Sequence, residues 1–165
     1  MYRSVQGELT RVDGAGRHLR RIELDHLHVL LATADGPSSE LPAEIQNAVK
    51  QLQATLNYRG FTLLTPIVQR TREGFDVTFS GGAVELPGPG TSVMRQAYRY
   101  SIRSLGKTID GRVELNGFDF STDGNLGEAR VQSNLSLREG EQVVVGTASL
   151  RGKALVLVLS SRTIK

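Results

Sequence analysis

Hydrophobic and polar positions alternate along most of this chain, and only one stretch breaks into a helical rhythm. Val5, Gly7 and Leu9 alternate with polar residues and lead to Asp13-Gly14-Ala15-Gly16, a turn signal, so the amino-terminal part reads as a hairpin. A long strand follows, over about 18–33. Ile22 and Leu24 share one face, whereas Leu27, Val29 and Leu31 have the other parity. That phase change implies a β-bulge near Asp25 or a strand buried on both faces. After the loop Asp35–Ser39, Pro42 stands where a first helical residue belongs. Ile45, Ala48, Val49, Leu52 and Leu56 recur at three- and four-residue steps, predicting an amphipathic helix over about 42–57 with Gly60 soon after its end.

Beyond the helix the chain reads as strand and turn. Strands are predicted over 61–71, 75–80, 94–104, 111–120, 128–137, 142–150 and 154–164. Arg72-Glu73-Gly74 and Arg151-Gly152-Lys153 make hairpin turns, and Gly81-Gly82 and Pro87-Gly88-Pro89-Gly90 bound a loop at 81–91. Short linkers favour antiparallel pairing. The expected fold class is α+β: one helix on a twisted, mainly antiparallel sheet of about seven to nine strands. Neither side of the 81–91 loop reads as able to fold alone, so residues 1–165 are expected to form one domain. Val131, Leu135 and Leu137, with Val143, Val145, Leu155, Leu157 and Leu159, form the expected core.

Composition narrows the chemistry. The 165 residues suffice for a core without staples, and the absence of cysteine excludes disulfides, thiolate catalysis and cysteine-held metal. A net charge of +3 is too small to argue for nucleic acid, so no nucleic-acid partner is expected. No apolar run approaches a membrane-helix length, and residues 1–20 hold no signal-peptide core. Envelope location therefore gets no support from a leader sequence.

Candidate chemistry is sparse. His26 and His28 are two apart on a strand and could ligate a metal with Asp25 or Glu23. Those carboxylates take the opposite face, so neither a metal site nor any cofactor is expected. There is no Gly-x-Ser-x-Gly elbow, and Gly88-Pro89-Gly90-Thr91 lacks the lysine and the N–H groups of a phosphate loop, so no catalytic residue is assigned and the chain is not read as an enzyme. Arg95, Arg99 and Arg103 share one strand face, opposite Tyr98, Tyr100 and Ile102. They are a candidate anion-binding face, with a solvated sheet surface as the plain alternative. The strand 154–164 carries no charge before Arg162. If it lies at a sheet edge, Leu155, Leu157 and Leu159 mark a candidate interface with another subunit; if it is central, that drive to assemble disappears.

Two segments resemble the conserved β-domain of the secretins, the ring-forming outer-membrane channel proteins of bacterial secretion and pilus systems. The first is the helix Ile45–Leu56 leading into Phe61-Thr62-Leu63-Leu64-Thr65-Pro66-Ile67-Val68, the turn Arg72-Glu73-Gly74, and a strand ending Val77-Thr78-Phe79-Ser80-Gly81. The second is Leu137-Arg138-Glu139-Gly140-Glu141 with Gln142-Val143-Val144-Val145-Gly146, closed by Leu155-Val156-Leu157-Val158-Leu159. The resemblance is strongest over 43–165. It lacks pore-forming hairpins and amino-terminal ring domains. What it implies is a non-enzymatic scaffold of the cell envelope or periplasm that works by contact with a protein partner or with copies of itself. The rival reading is a binder of an anionic ligand or polymer through the arginine face.

Overall fold

A computed structural model describes residues 2–5, 8–11, 21–36, 38–72, 77–87 and 90–164. The fold class is α+β: mainly antiparallel strands with one helix. The strands are β1 (Tyr2–Val5), β2 (Glu8–Arg11), β3 (Arg21–Thr33), β4 (Gly60–Arg72), β5 (Val77–Pro87), β6 (Val93–Ile102), β7 (Ser104–Lys107), β8 (Arg112–Gly124), β9 (Ala129–Arg138), β10 (Gln142–Leu150), β11 (Lys153–Ser160) and β12 (Arg162–Ile164). The helix α1 spans Ala43–Thr55.

Two five-stranded sheets replace the expected open one. In the first, β3 is flanked along one side by β4 and along the other by β11 and then β12, with β10 outside β11. In the second, β8 is flanked by β9 on one side and by β6 and then β7 on the other, with β5 outside β6. The twelve described strands exceed the expected range in part because two runs are interrupted. Ser161 separates β11 from β12, and Arg103 separates β6 from β7. One flat sheet of this many strands would leave its apolar faces in water; stacking two buries them against each other.

The main core lies between the sheets. Leu27, Val29, Ile67, Val145, Leu155, Leu157 and Leu159 of the first sheet meet Tyr100, Ile102, Val113, Leu115, Phe118, Phe120, Val131 and Leu137 of the second. Leu135 and Val143 pack against this cluster half-buried, so every residue of the expected core belongs to it. Burial raises the ionisation of the Tyr100 hydroxyl well above its usual range, reinforced by Tyr98. A second core lies on the other face of the first sheet. There Ile45, Ala48, Val49 and Leu52 of α1 cover Leu30, Ala32, Phe61, Ala154, Val156 and Val158.

Local chemistry explains several element boundaries. Pro42 is the N-cap of α1, one position earlier than expected, and lends its carbonyl to the Ile45 N–H at 3.1 Å. The register between β3 and β4 slips between Leu24 and Leu27, where the phase change places a bulge. The Gly81-Gly82 pair does not end a strand: β5 runs through it to Pro87, with a register shift between Ser80 and Gly82. The ring of Tyr98 lies over Gly82 and leaves no room for a Cβ. The Arg151-Gly152 turn has positive φ at both residues, +47° and +76°, which suits a two-residue antiparallel hairpin. The amino-terminal part forms a hairpin, β1 antiparallel to β2, while β3 pairs with β4 on one side and with β11 and β12 on the other. The turn at 13–16 lies outside the described residues.

Candidate interaction surface

The helix decides which sheet face is available. α1 covers the outer face of the first sheet, and its amide-rich side is partly engaged with its own loops. Gln46 donates to the Leu41 carbonyl at 3.1 Å and Gln53 to the Arg59 carbonyl at 3.0 Å. Among the described residues no helix lies on the outer face of the second sheet, and there the strands place their polar residues.

Three rows of side chains cross this face. Arg99, Ser121 and Arg130 share one row; Ser101, Asp119 and Gln132 the next; Arg103, Gly117 and Asn134 the third. Arg99 donates through Nε to Ser121 Oγ at 3.1 Å. Arg130 grips Asp119 with two nitrogens, Nε at 2.9 Å from Oδ1 and a second contact to Oδ2. Gln132 donates to Asp119 Oδ2 at 3.0 Å. The hydrogen bond from Arg130 holds the Asp119 carboxyl below its usual range against a smaller opposing effect of burial, helped by Gln132 and by the charges of Arg130 and Arg99. Two rows along, Arg112 donates to the Ser136 hydroxyl at 2.8 Å and to its carbonyl at 2.9 Å.

All three arginines of the expected stripe are exposed on this face. At about 3.3 Å per residue they stand roughly 13 Å apart, a line rather than a cluster. The Arg95 backbone N–H is held by Asn125 Oδ1 at 2.7 Å. That loop is anchored by buried Gln96, which donates to Thr122 Oγ1 and the Gly127 carbonyl and accepts from the Leu126 N–H. Nothing in the order of residues marked Gln96 as an anchor; it sits in an otherwise exposed stretch of the arginine strand.

Leu155, Leu157 and Leu159 are placed differently from expectation. β11 is a central strand, paired by β10 on one side and β3 on the other. Its leucines are at most 1% exposed. The edge-strand interface assigned to them is therefore corrected: their backbone groups are already paired and their side chains fill the core. Among the described pairings, β4, β5, β9 and β10 each have a single ladder neighbour. β9 and β10 run beside each other without a ladder, and Val131 of β9 presses on Gly146 of β10 where a Cβ would not fit.

His28 is 2% exposed on the helix-covered face, with Nε2 at 3.1 Å from Glu44 Oε1 in the first turn of α1. The side chain of His26 lies outside what the structure describes. Among the described residues no group of three His, Asp or Glu side chains is placed to hold a metal ion. No helix among them is long and apolar enough to cross a membrane.

No family profile matches the chain, and no curated protein matches it. Solved structures do. The secretin InvG of the Salmonella SPI-1 type III secretion injectisome, in its open gate state, superposes with a TM-score of 0.53 at 12% identity, covering 91% of this chain and 62% of that one. The InvG secretin domain β-barrel of the same injectisome gives 0.49 at 12% identity, covering 92% and 65%. The chain thus spans less than two thirds of the length of either structure. At this identity the likeness is one of architecture, and the chain has a partial secretin-like fold.

Proposed function

We propose that this chain is a non-enzymatic assembly module of the bacterial cell envelope or periplasm, acting by protein–protein contact, including contact with copies of itself. The observation that carries this reading is the fold likeness to a secretin over 91% of the chain. The exposed face presents polar side chains paired across strands, Arg99 with Ser121 and Arg130 with Asp119, a surface suited to contact with another protein. β11 cannot serve as an assembly edge because β10 and β3 pair with both its sides. Among the described pairings β4 and β5 each have a ladder neighbour on one side only and do not face another edge strand as β9 and β10 do, so they are the edges through which sheets extend between molecules.

Light scattering across a range of micromolar concentrations tests the self-assembly arm. The expected result is a mass above 18.0 kDa that rises with concentration. A mass fixed at the single-chain value would sink self-assembly. Residues 1–165 are proposed to fold as one unit, so near- and far-ultraviolet dichroism should lose signal in one coincident transition; two separated transitions would divide the chain.

A further inference from the structure

One concavity in the polar face of the second sheet lies where Arg103 meets Gly117 and Asn134. At that place two adjacent strands are irregular together: β6 gives way to β7 at Arg103, and the register of β8 against β9 shifts between Leu115 and Phe118. Bulges re-aim side chains and bend the strand that carries them. The result is a groove of about 480 Å³ whose polar lining includes Ser101, Arg103, Asp119, Gln132 and Asn134. Its walls are fixed by hydrogen bonds across the irregularity. The Arg103 N–H donates to the Asn116 carbonyl at 3.0 Å, and the Gly117 N–H donates to Asn134 Oδ1 at 2.8 Å. Gly117 has φ of +66°, and a Cβ there would stand 2.8 Å from Arg103 Cβ. Glycine is required both for the backbone conformation and for the approach of the arginine.

The charges in the groove are unequally used. Asp119 is held by Arg130 and Gln132, and Arg99 lies close enough to lower its ionisation further. The Arg103 guanidinium makes no hydrogen bond or ion pair among the described residues. Arg103 and Asp119 are the charged residues of the groove lining, and because Arg130 neutralises Asp119 the charge left for a ligand is that of Arg103. Phe118 in the groove wall is 1% exposed and faces the core, so it offers no ring for a sugar or base to stack on.

We infer that this groove docks an acidic segment of a partner polypeptide. Arg103 takes a carboxylate in its planar fork, a geometry to which arginine is suited. Ser101 and Asn134 supply short polar groups for the adjoining peptide backbone. Arg130 masks Asp119, which would otherwise repel the incoming acid. This inference rests on the reading of the chain as a protein-contact module and names the chemistry of one contact.

The test uses the full chain and two dye-labelled peptides, acetyl-tetraglutamate amide and its tetraglutamine counterpart, followed by fluorescence anisotropy at low salt. The glutamate peptide should bind and the glutamine peptide should not. Removing one charge-assisted contact through Arg103→Gln should weaken binding about tenfold. Arg95→Gln, at the far end of the stripe, should leave it unchanged. No binding, equal binding of both peptides, or equal losses in the two variants would overturn the groove, the last by revealing only general attraction to a basic chain. A chain that assembles yet binds neither peptide overturns the groove alone. A chain fixed at 18.0 kDa that binds through Arg103 overturns self-assembly alone.

Discussion

The central strands of the two sheets solve the same problem differently. β11 buries six consecutive residues, Ala154–Leu159, because the second sheet lies on one face and α1 on the other. Among the described residues β8 is covered on one face, and buried Val113 and Leu115 flank exposed Glu114. An unbroken apolar run and a strict alternation are thus both strands; what distinguishes them is the number of covered faces. The helix seals the first sheet so thoroughly that His28 is buried there, beside Glu44.

The largest expected effect separates buried from exposed neighbours. Leu157→Ala, at a position with no exposure, should cost roughly 2–5 kcal/mol in urea unfolding, and Val156→Ala on the opposite face about 2 kcal/mol. Glu114→Ala in β8 should stay within about 0.5 kcal/mol. Should Val156→Ala prove as harmless as Glu114→Ala, the helix would not cover the first sheet and the contrast would fail.

Next in size is the buried amide that holds the loop after β8. Gln96→Ala leaves the Leu126 N–H and the Gly127 carbonyl without their partner and should cost about 1–3 kcal/mol. Amide hydrogen exchange should show faster exchange at Leu126, while β11 amides keep their protection. Uniform loss of protection would mean that the loop is coupled to the whole fold.

Gly117→Ala tests the irregularity on the open face. The positive φ alone should cost about 1–2 kcal/mol, and the clash with Arg103 should displace that side chain. A neutral substitution would remove the requirement for glycine at the bulge.

The smallest effect is electrostatic. The Asp119 carboxyl is held below its unfolded value, so its contribution to stability is present at neutral pH and is lost as pH falls through and below the ordinary carboxylate range, about pH 4. Asp119→Asn should flatten the acid side of a stability-against-pH curve and leave the curve above pH 6 parallel to the parent. Identical acid limbs in parent and variant would show that the pair with Arg130 contributes nothing.

Much of this was legible in the residues. The spacing of Ile45, Ala48, Val49 and Leu52 predicted α1 within two residues at each end, because an amphipathic stripe depends on local periodicity. The parity switch at Leu24–Leu27 announced the bulge in β3 for the same reason. Gly82 misled: two glycines read as a loop, yet the strand continues because a ring from β6 occupies the space a side chain would need. The groove was half legible. The arginine stripe was visible, but its meeting with Gly117 and Asn134 depends on pairing between distant segments.

The sequence by itself determined the α+β class, the helix, the strand phases and the apolar positions of the core, all properties carried by short-range periodicity. The tertiary structure decided the neighbours. It divided the strands between two sheets, put β11 in the centre rather than at an edge, and chose which sheet the helix would cover. Those outcomes depend on which apolar faces find one another across long loops, and no local pattern encodes that choice.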